Sequence, residues 1–242
     1  MSDYLRRSRS AWYSFLFVLP LLALYHAGVV VTNLGQRGVV VNGADALLQA
    51  ALHAIGAGGW FTSAWFLAAI AGIGIYRADP AARKERVQPR TFALMLAESV
   101  LYALLFGGVV ASIVRALMPW VNTGLQIGLP LGVGRSLSLS LGAGLYEELV
   151  FRVIGMGGIY WLLQRCCHAQ ETPAMLGAAV VSSLIFSLFH YLGPLGDSFQ
   201  LSSFVFRFVA GMVLAGIYRW RGFGIAAGTH ALYDVFVVLR PF

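Results

Sequence analysis

Residues 136–164 read SLSLSLGAGLYEELVFRVIGMGGIYWLLQ. In 29 residues the run holds only three charges, Glu147, Glu148 and Arg152. Roughly 20 apolar residues, rising 1.5 Å each, cross a hydrocarbon layer about 30 Å thick. The segment therefore reads as a membrane-spanning helix, and one that carries acids at a depth where acids are disfavoured. The rest of the chain has the same character. Its 242 residues are 59% hydrophobic and 11% charged, against about 25% charged in an ordinary soluble domain, and its mean hydropathy is +0.76. Because a spanning segment must satisfy its own backbone polar groups, the expected fold is all-α, a polytopic transmembrane helix bundle. One membrane domain occupies 1–242, with no room for a separate soluble unit.

Apolar run length predicts seven spans, at about 12–31, 59–76, 92–117, 136–164, 174–192, 203–219 and 222–239. Residues 44–57 are apolar but short, so they read as an interfacial or re-entrant helix, and counting them as a span gives eight. Residues 1–91 hold the N-terminal spans and one polar loop, Arg77 to Arg90, with Asp79, Arg83, Lys84, Glu85 and Arg86. Residues 92–239 form the larger bundle. The stretch from Trp12 to Val31 is too long for a signal-peptide core and lacks a small-residue cleavage site, so it is expected to stay attached as the first span. Seven spans with a cytoplasmic N-terminus put eleven basic residues inside, against Arg37, Arg115, Arg135 and Arg240 outside, as the positive-inside rule asks. The expected location is the cell's inner or plasma membrane.

The net charge of +7 does not indicate nucleic acid, because the basic residues lie in short clusters between apolar runs. Such clusters act as topology signals and contact anionic lipids. Membrane lipids are thus expected partners. The two cysteines, Cys166 and Cys167, are adjacent and suit neither a disulfide nor a metal site.

Ionisable groups inside a bilayer need partners and tend to mark function. Here Glu98, Glu147, Glu148, Arg152, His190, Arg207, His230 and Asp234 all fall within or at the rim of expected spans. On an α-helix Glu148 and Arg152, four apart with the acid first, form a favourable pair. Glu147 is rotated about 100° away and faces a neighbouring helix without a local cation, as suits a general base. The rival reading makes both acids packing glue for Arg152 and Arg207. His190 follows Phe186 by one turn, so the ring can wall off a cavity. His230 and Asp234 share a face; the carboxylate can fix the imidazole tautomer, or both can address a common water or metal. The rival readings are a hydrogen-bonded packing histidine and an internally satisfied pair.

Together, Glu147-Glu148-x-x-x-Arg152, Phe186-x-x-x-His190 and His230-x-x-x-Asp234, in this order on successive apolar helices, resemble the CPBP family. That family comprises the CAAX prenyl endopeptidases and the bacteriocin-processing (Abi) intramembrane proteases. The resemblance covers roughly residues 92 to 239. It implies that Glu147 activates water with His190, that Glu148 pairs with Arg152 and holds the helix, and that His230 and the residue four later polarise the scissile carbonyl. That last position is more often Asn and here is Asp234. An ionised Asp cannot donate to an oxyanion, so Asp234 is protonated, orients His230 or binds a metal. Glu147, His190 and His230 are the ligands a catalytic zinc would take. No His-Glu-x-x-His motif is present, and a glutamate mechanism without a cofactor is the preferred expectation.

The chain is thus expected to hydrolyse a peptide bond in a membrane-associated or lipid-modified protein or peptide tail. A proton- or ion-coupled transporter using the same Glu, His and Asp relay is the alternative from another class, and a catalytically silent scaffold is a third. Seven spans place the mean depth of Glu147, His190 and His230 between the midplane and the outer face, favouring substrate access from outside or laterally from lipid.

Overall fold

The computed structural model describes residues 3–35, 38–56, 59–79, 86–120, 132–193 and 196–239. Arg37, Arg83, Lys84, Glu85 and Arg240, used above to orient the chain, lie outside the described residues. The described residues are helical or irregular, without a strand. Helix α1 is Asp3–Ser8, α2 Ala11–Asn33, α3 Gly43–Ala54, α4 Trp60–Ala78 and α5 Pro89–Leu117. Then α6 (Val133–Gly142), a π-helical segment (Ala143–Met156) and α7 (Gly157–Cys166) follow without a break. Helices α8 (Glu171–Phe189), α9 (Leu201–Arg221) and α10 (Phe223–Leu239) complete the bundle.

Four of these, α2, α5, α8 and α9, are each long and apolar enough to cross a membrane, while α10 and residues 64–78 of α4 are shorter apolar helices. Large apolar side chains cover the outside of the bundle as well as filling its interior. Along α5, Leu94, Leu96, Leu101, Leu104, Leu105, Val109 and Ile113 face outward, while Thr91 and Ser99 are buried. Lipid tails solvate leucine as well as a core does, so small and polar residues go to the helix interfaces instead.

Helices α2 and α4 run antiparallel. Trp12 at the start of α2 meets Tyr76 at the end of α4, with ring centroids 5.5 Å apart, and His26 lies 5.9 Å from Trp65 near the start of α4. A full crossing between them would make the two helices parallel, so α3 turns back at the end of the bundle where α2 finishes. Its 12 residues span about 18 Å, well short of a hydrocarbon core.

Helix α10 is central: every residue from Gly224 to Ala231 is buried, among α2, α5, α6, α9 and the π segment. It reverses from α9 through a single residue, Gly222, whose φ of 86° and ψ of 174° lie in a region open to glycine alone. At the same end, Arg221 donates from Nη2 to Glu98 (2.8 Å) and to Ser8 (2.9 Å), and the Tyr4 hydroxyl also donates to Glu98. Burial, with the carboxylate beside it, pushes the Tyr4 hydroxyl up to about 12, so it remains a donor at neutral pH. Glu98 is therefore part of the latch that ties α1 to α5 and α9.

Candidate active site

The Glu147-Glu148 pair sits in the π segment, where amide-to-carbonyl bonds reach five residues back; at its end Gly157 N–H bonds to Arg152 O. A helix wider than the α form turns by less than 100° per residue. The two adjacent carboxylates are therefore splayed less than an α-helix predicts, and both reach α10. Gly144 makes the close approach: a Cβ there would stand 2.5 Å from Ala231 N and 2.6 Å from Ala227 O.

The two acids address opposite nitrogens of one ring. Glu148 Oε1 is 2.9 Å from His230 Nδ1, while Glu147 Oε2 is 3.9 Å from His230 Nε2. Glu148 Oε2 also pairs with Arg152 Nε at 3.2 Å, both side chains being fully buried. Arg152 in turn donates to Gly211 O on α9 and lies over the Phe186 ring, 4.5 Å from its centroid. The expected Glu148–Arg152 pair is present, with His230 as a further partner of Glu148.

His190 caps the C-terminus of α8. Its Nδ1 lies 2.8 Å from Phe186 O. A carbonyl only accepts, so Nδ1 carries the proton and Nε2 points the other way, 4.0 Å from Glu147 Oε2. Phe186, buried at 3% exposure, stands edge-on to His190 at 4.9 Å and faces His230 at 6.0 Å. It forms an apolar wall shared by both imidazoles.

Glu147, His190 and His230 therefore converge from three elements. Buried Glu147 Oε2 has no hydrogen-bond partner among the described residues. Gaps of 3.9 and 4.0 Å to the two Nε2 atoms exceed a hydrogen bond and suit a bridging water.

His230 Nδ1 is held by Glu148 Oε1 at 2.9 Å, a partner that the sequence reading did not give it. Asp234 Oδ2 lies on the other side, 3.6 Å from Nε2, with its side chain about a third exposed. Arg207 is not glue for the glutamates either: it pairs with Asp197 and stacks over Tyr191.

Sequence reasoning missed Asn42. Its Nδ2 donates to Glu147 Oε1 at 3.0 Å, across 105 positions of chain. An Asn before an apolar run signals a helix N-cap, and Asn42 does cap α3, accepting from Ala44 N at 2.9 Å. Nothing in the local sequence connects that cap with Glu147.

A zinc held by Glu147, His190 and His230 would draw these side chains closer together than they stand. Bonds of about 2.0–2.1 Å in a tetrahedron place donor atoms about 3.3 Å apart, and Glu147 Oε2 lies 3.9 and 4.0 Å from the two imidazole nitrogens. No group of three His, Cys, Asp or Glu among the described residues is arranged to hold a metal ion.

Compared with known families, residues 129–236 match the one described as Type II CAAX prenyl endopeptidase Rce1-like. This range takes in the π segment, His190 and His230 and excludes Asn42. No curated protein and no solved structure matches the chain.

Proposed function

We propose, from the match of residues 129–236 to the type II CAAX prenyl endopeptidase Rce1-like family, that the protein is an intramembrane endopeptidase acting on a membrane-associated or lipid-modified peptide tail. The observation that carries this reading is Glu147 Oε2, a buried carboxylate oxygen without a hydrogen bond among the described residues, flanked by two imidazole nitrogens at water-bridging distance. A water held there by Glu147 and His190 loses its proton to Glu147 as its oxygen attacks the scissile carbonyl carbon. Glu147 then returns that proton to the departing amine, the work of a general acid–base. With Glu148 accepting from Nδ1–H, His230 Nε2 donates only when the ring is an imidazolium. His230 in that form stabilises the oxyanion from a water-poor site. Asp234, 3.6 Å from the same nitrogen, holds the cation in place instead of donating itself. The reaction needs no metal in this reading.

The test is hydrolysis of a fluorogenic peptide bearing a farnesylated C-terminal tetrapeptide by the purified protein in detergent or liposomes, with a zinc chelator present. Wild type is expected to cleave, and Glu147→Gln to lose at least about 100-fold in kcat, the lower end of the usual general-base contribution, with its melting temperature retained. Equal activity of the two proteins would sink the assignment. No finding supports the transporter alternative.

A further inference from the structure

We infer that Asn42, on the N-terminal side of the chain and outside the family match, is a positioning residue for the catalytic carboxylate, and that α3 is a wall of the active site. The inference rests on the endopeptidase reading for its catalytic consequence. Its geometric part stands alone.

Asn42 is 8% exposed, and every polar group it offers is fixed. Its side-chain carbonyl accepts from Ala44 N at the start of α3, which leaves the amide nitrogen directed at Glu147 Oε1, 3.0 Å away. Its backbone N–H donates to the Tyr25 hydroxyl at 3.1 Å, and that hydroxyl donates to Asp45 Oδ2 at 2.7 Å. Gly43, the next residue, lies against Phe189, where an added Cβ would meet the ring at 3.1 Å. The N-terminus of α3 is thereby wedged between α2, the π segment and the end of α8 that carries His190.

A carboxylate has two oxygens, and at this site they differ. Asn42 holds Oε1 as an acceptor, so the Glu147 group cannot rotate, and Oε2 stays directed at His190 and His230. Besides Asn42, the charged or titratable groups around Glu147 are Glu148 and Arg152 from its own element, His190 from α8, and His230 and Asp234 from α10. The amide is a neutral donor that does not titrate, so it fixes the carboxylate without competing for the proton that catalysis moves.

Asn42→Asp isolates this role. Aspartate caps a helix as well as asparagine and has the same shape, but it replaces the donor with an acceptor that carries charge. On the farnesylated peptide, kcat is expected to fall at least tenfold with KM little changed. The acid limb of the pH–rate profile should move to higher pH, because facing carboxylates share a proton. A second readout needs no turnover. Asn42→Asp should lower the melting temperature by several degrees at neutral pH, and adding Glu147→Gln should restore it, since the two carboxylates no longer repel. Wild-type kcat and an unshifted pH profile for Asn42→Asp, beside an inactive Glu147→Gln, would overturn the positioning role and leave the endopeptidase reading standing. A melting temperature that ignores residue 147 would overturn the contact. A wild type silent toward the peptide, with the stability coupling intact, would count against the endopeptidase reading and not against the contact.

Discussion

Two neighbouring glutamates differ in role because of what each touches. Glu148 is held closely by Arg152 at 3.2 Å and His230 at 2.9 Å, whereas Glu147 Oε2 stands 3.9 and 4.0 Å from its two imidazole neighbours. A buried ion pair owes little of its net stability to mutual attraction, but removing one member strands the other charge and costs about 3–5 kcal/mol. Glu148→Gln leaves Arg152, which is 0% exposed, beside a neutral amide. Thermal unfolding in detergent should therefore show a clear loss of stability for Glu148→Gln and little for Glu147→Gln. The reverse order would exchange the two roles assigned to these residues.

Among the elements, the π segment and α10 decide the geometry, and their separation is set at Gly144. Any side chain there meets backbone atoms of α10 at 2.5–2.6 Å, and backbone cannot swing aside as the tip of a flexible side chain can. Gly144→Ala is expected to push α10 outward and carry His230 away from both glutamates. Misplacement of about 1 Å can reduce turnover about 100-fold, so kcat should fall by that order, accompanied by overpacking destabilisation of about 1–3 kcal/mol. Wild-type kcat in Gly144→Ala would mean that the two elements are not held at the distance described. The aligned carboxylates also depend on the π winding, which turns Glu147 and Glu148 toward one ring where α-helical winding would separate them further.

At the scale of the molecule, one end of the bundle gathers Arg9, Arg219 and Arg221 with the start of α2 and the end of α9. The site lies toward the opposite end, where α3 and His190 meet. With the basic end in the cytoplasm, the site is expected to open outward or laterally. Cysteine labelling tests this directly. The exposed native Cys166 and Cys167 at the end of α7 should react with an impermeant maleimide only from the cytoplasmic side. Exposed Ser198→Cys, placed in a chain lacking those two, should react only from the other side; Asp197 beside it is unsuitable because it pairs with Arg207. Labelling of both positions from one side would overturn the orientation and the outward or lateral access that follows from it.

The sequence by itself determined the solvent and the parts. Run length and hydropathy marked out the bilayer, and they located the helices to within a few residues, because a spanning helix must be apolar over a fixed length whatever it packs against. It also named Glu147, Glu148, Arg152, His190, His230 and Asp234, because a charge in hydrocarbon is conspicuous wherever it occurs. Which atom of each residue faces which was decided only by tertiary structure. The π winding, the approach at Gly144 and the reach of Asn42 across 105 residues follow from how helices distant in sequence close on one another. A polar residue that caps a short helix looks the same in sequence whether its amide meets water or a catalytic carboxylate, since the partner is supplied by another part of the chain.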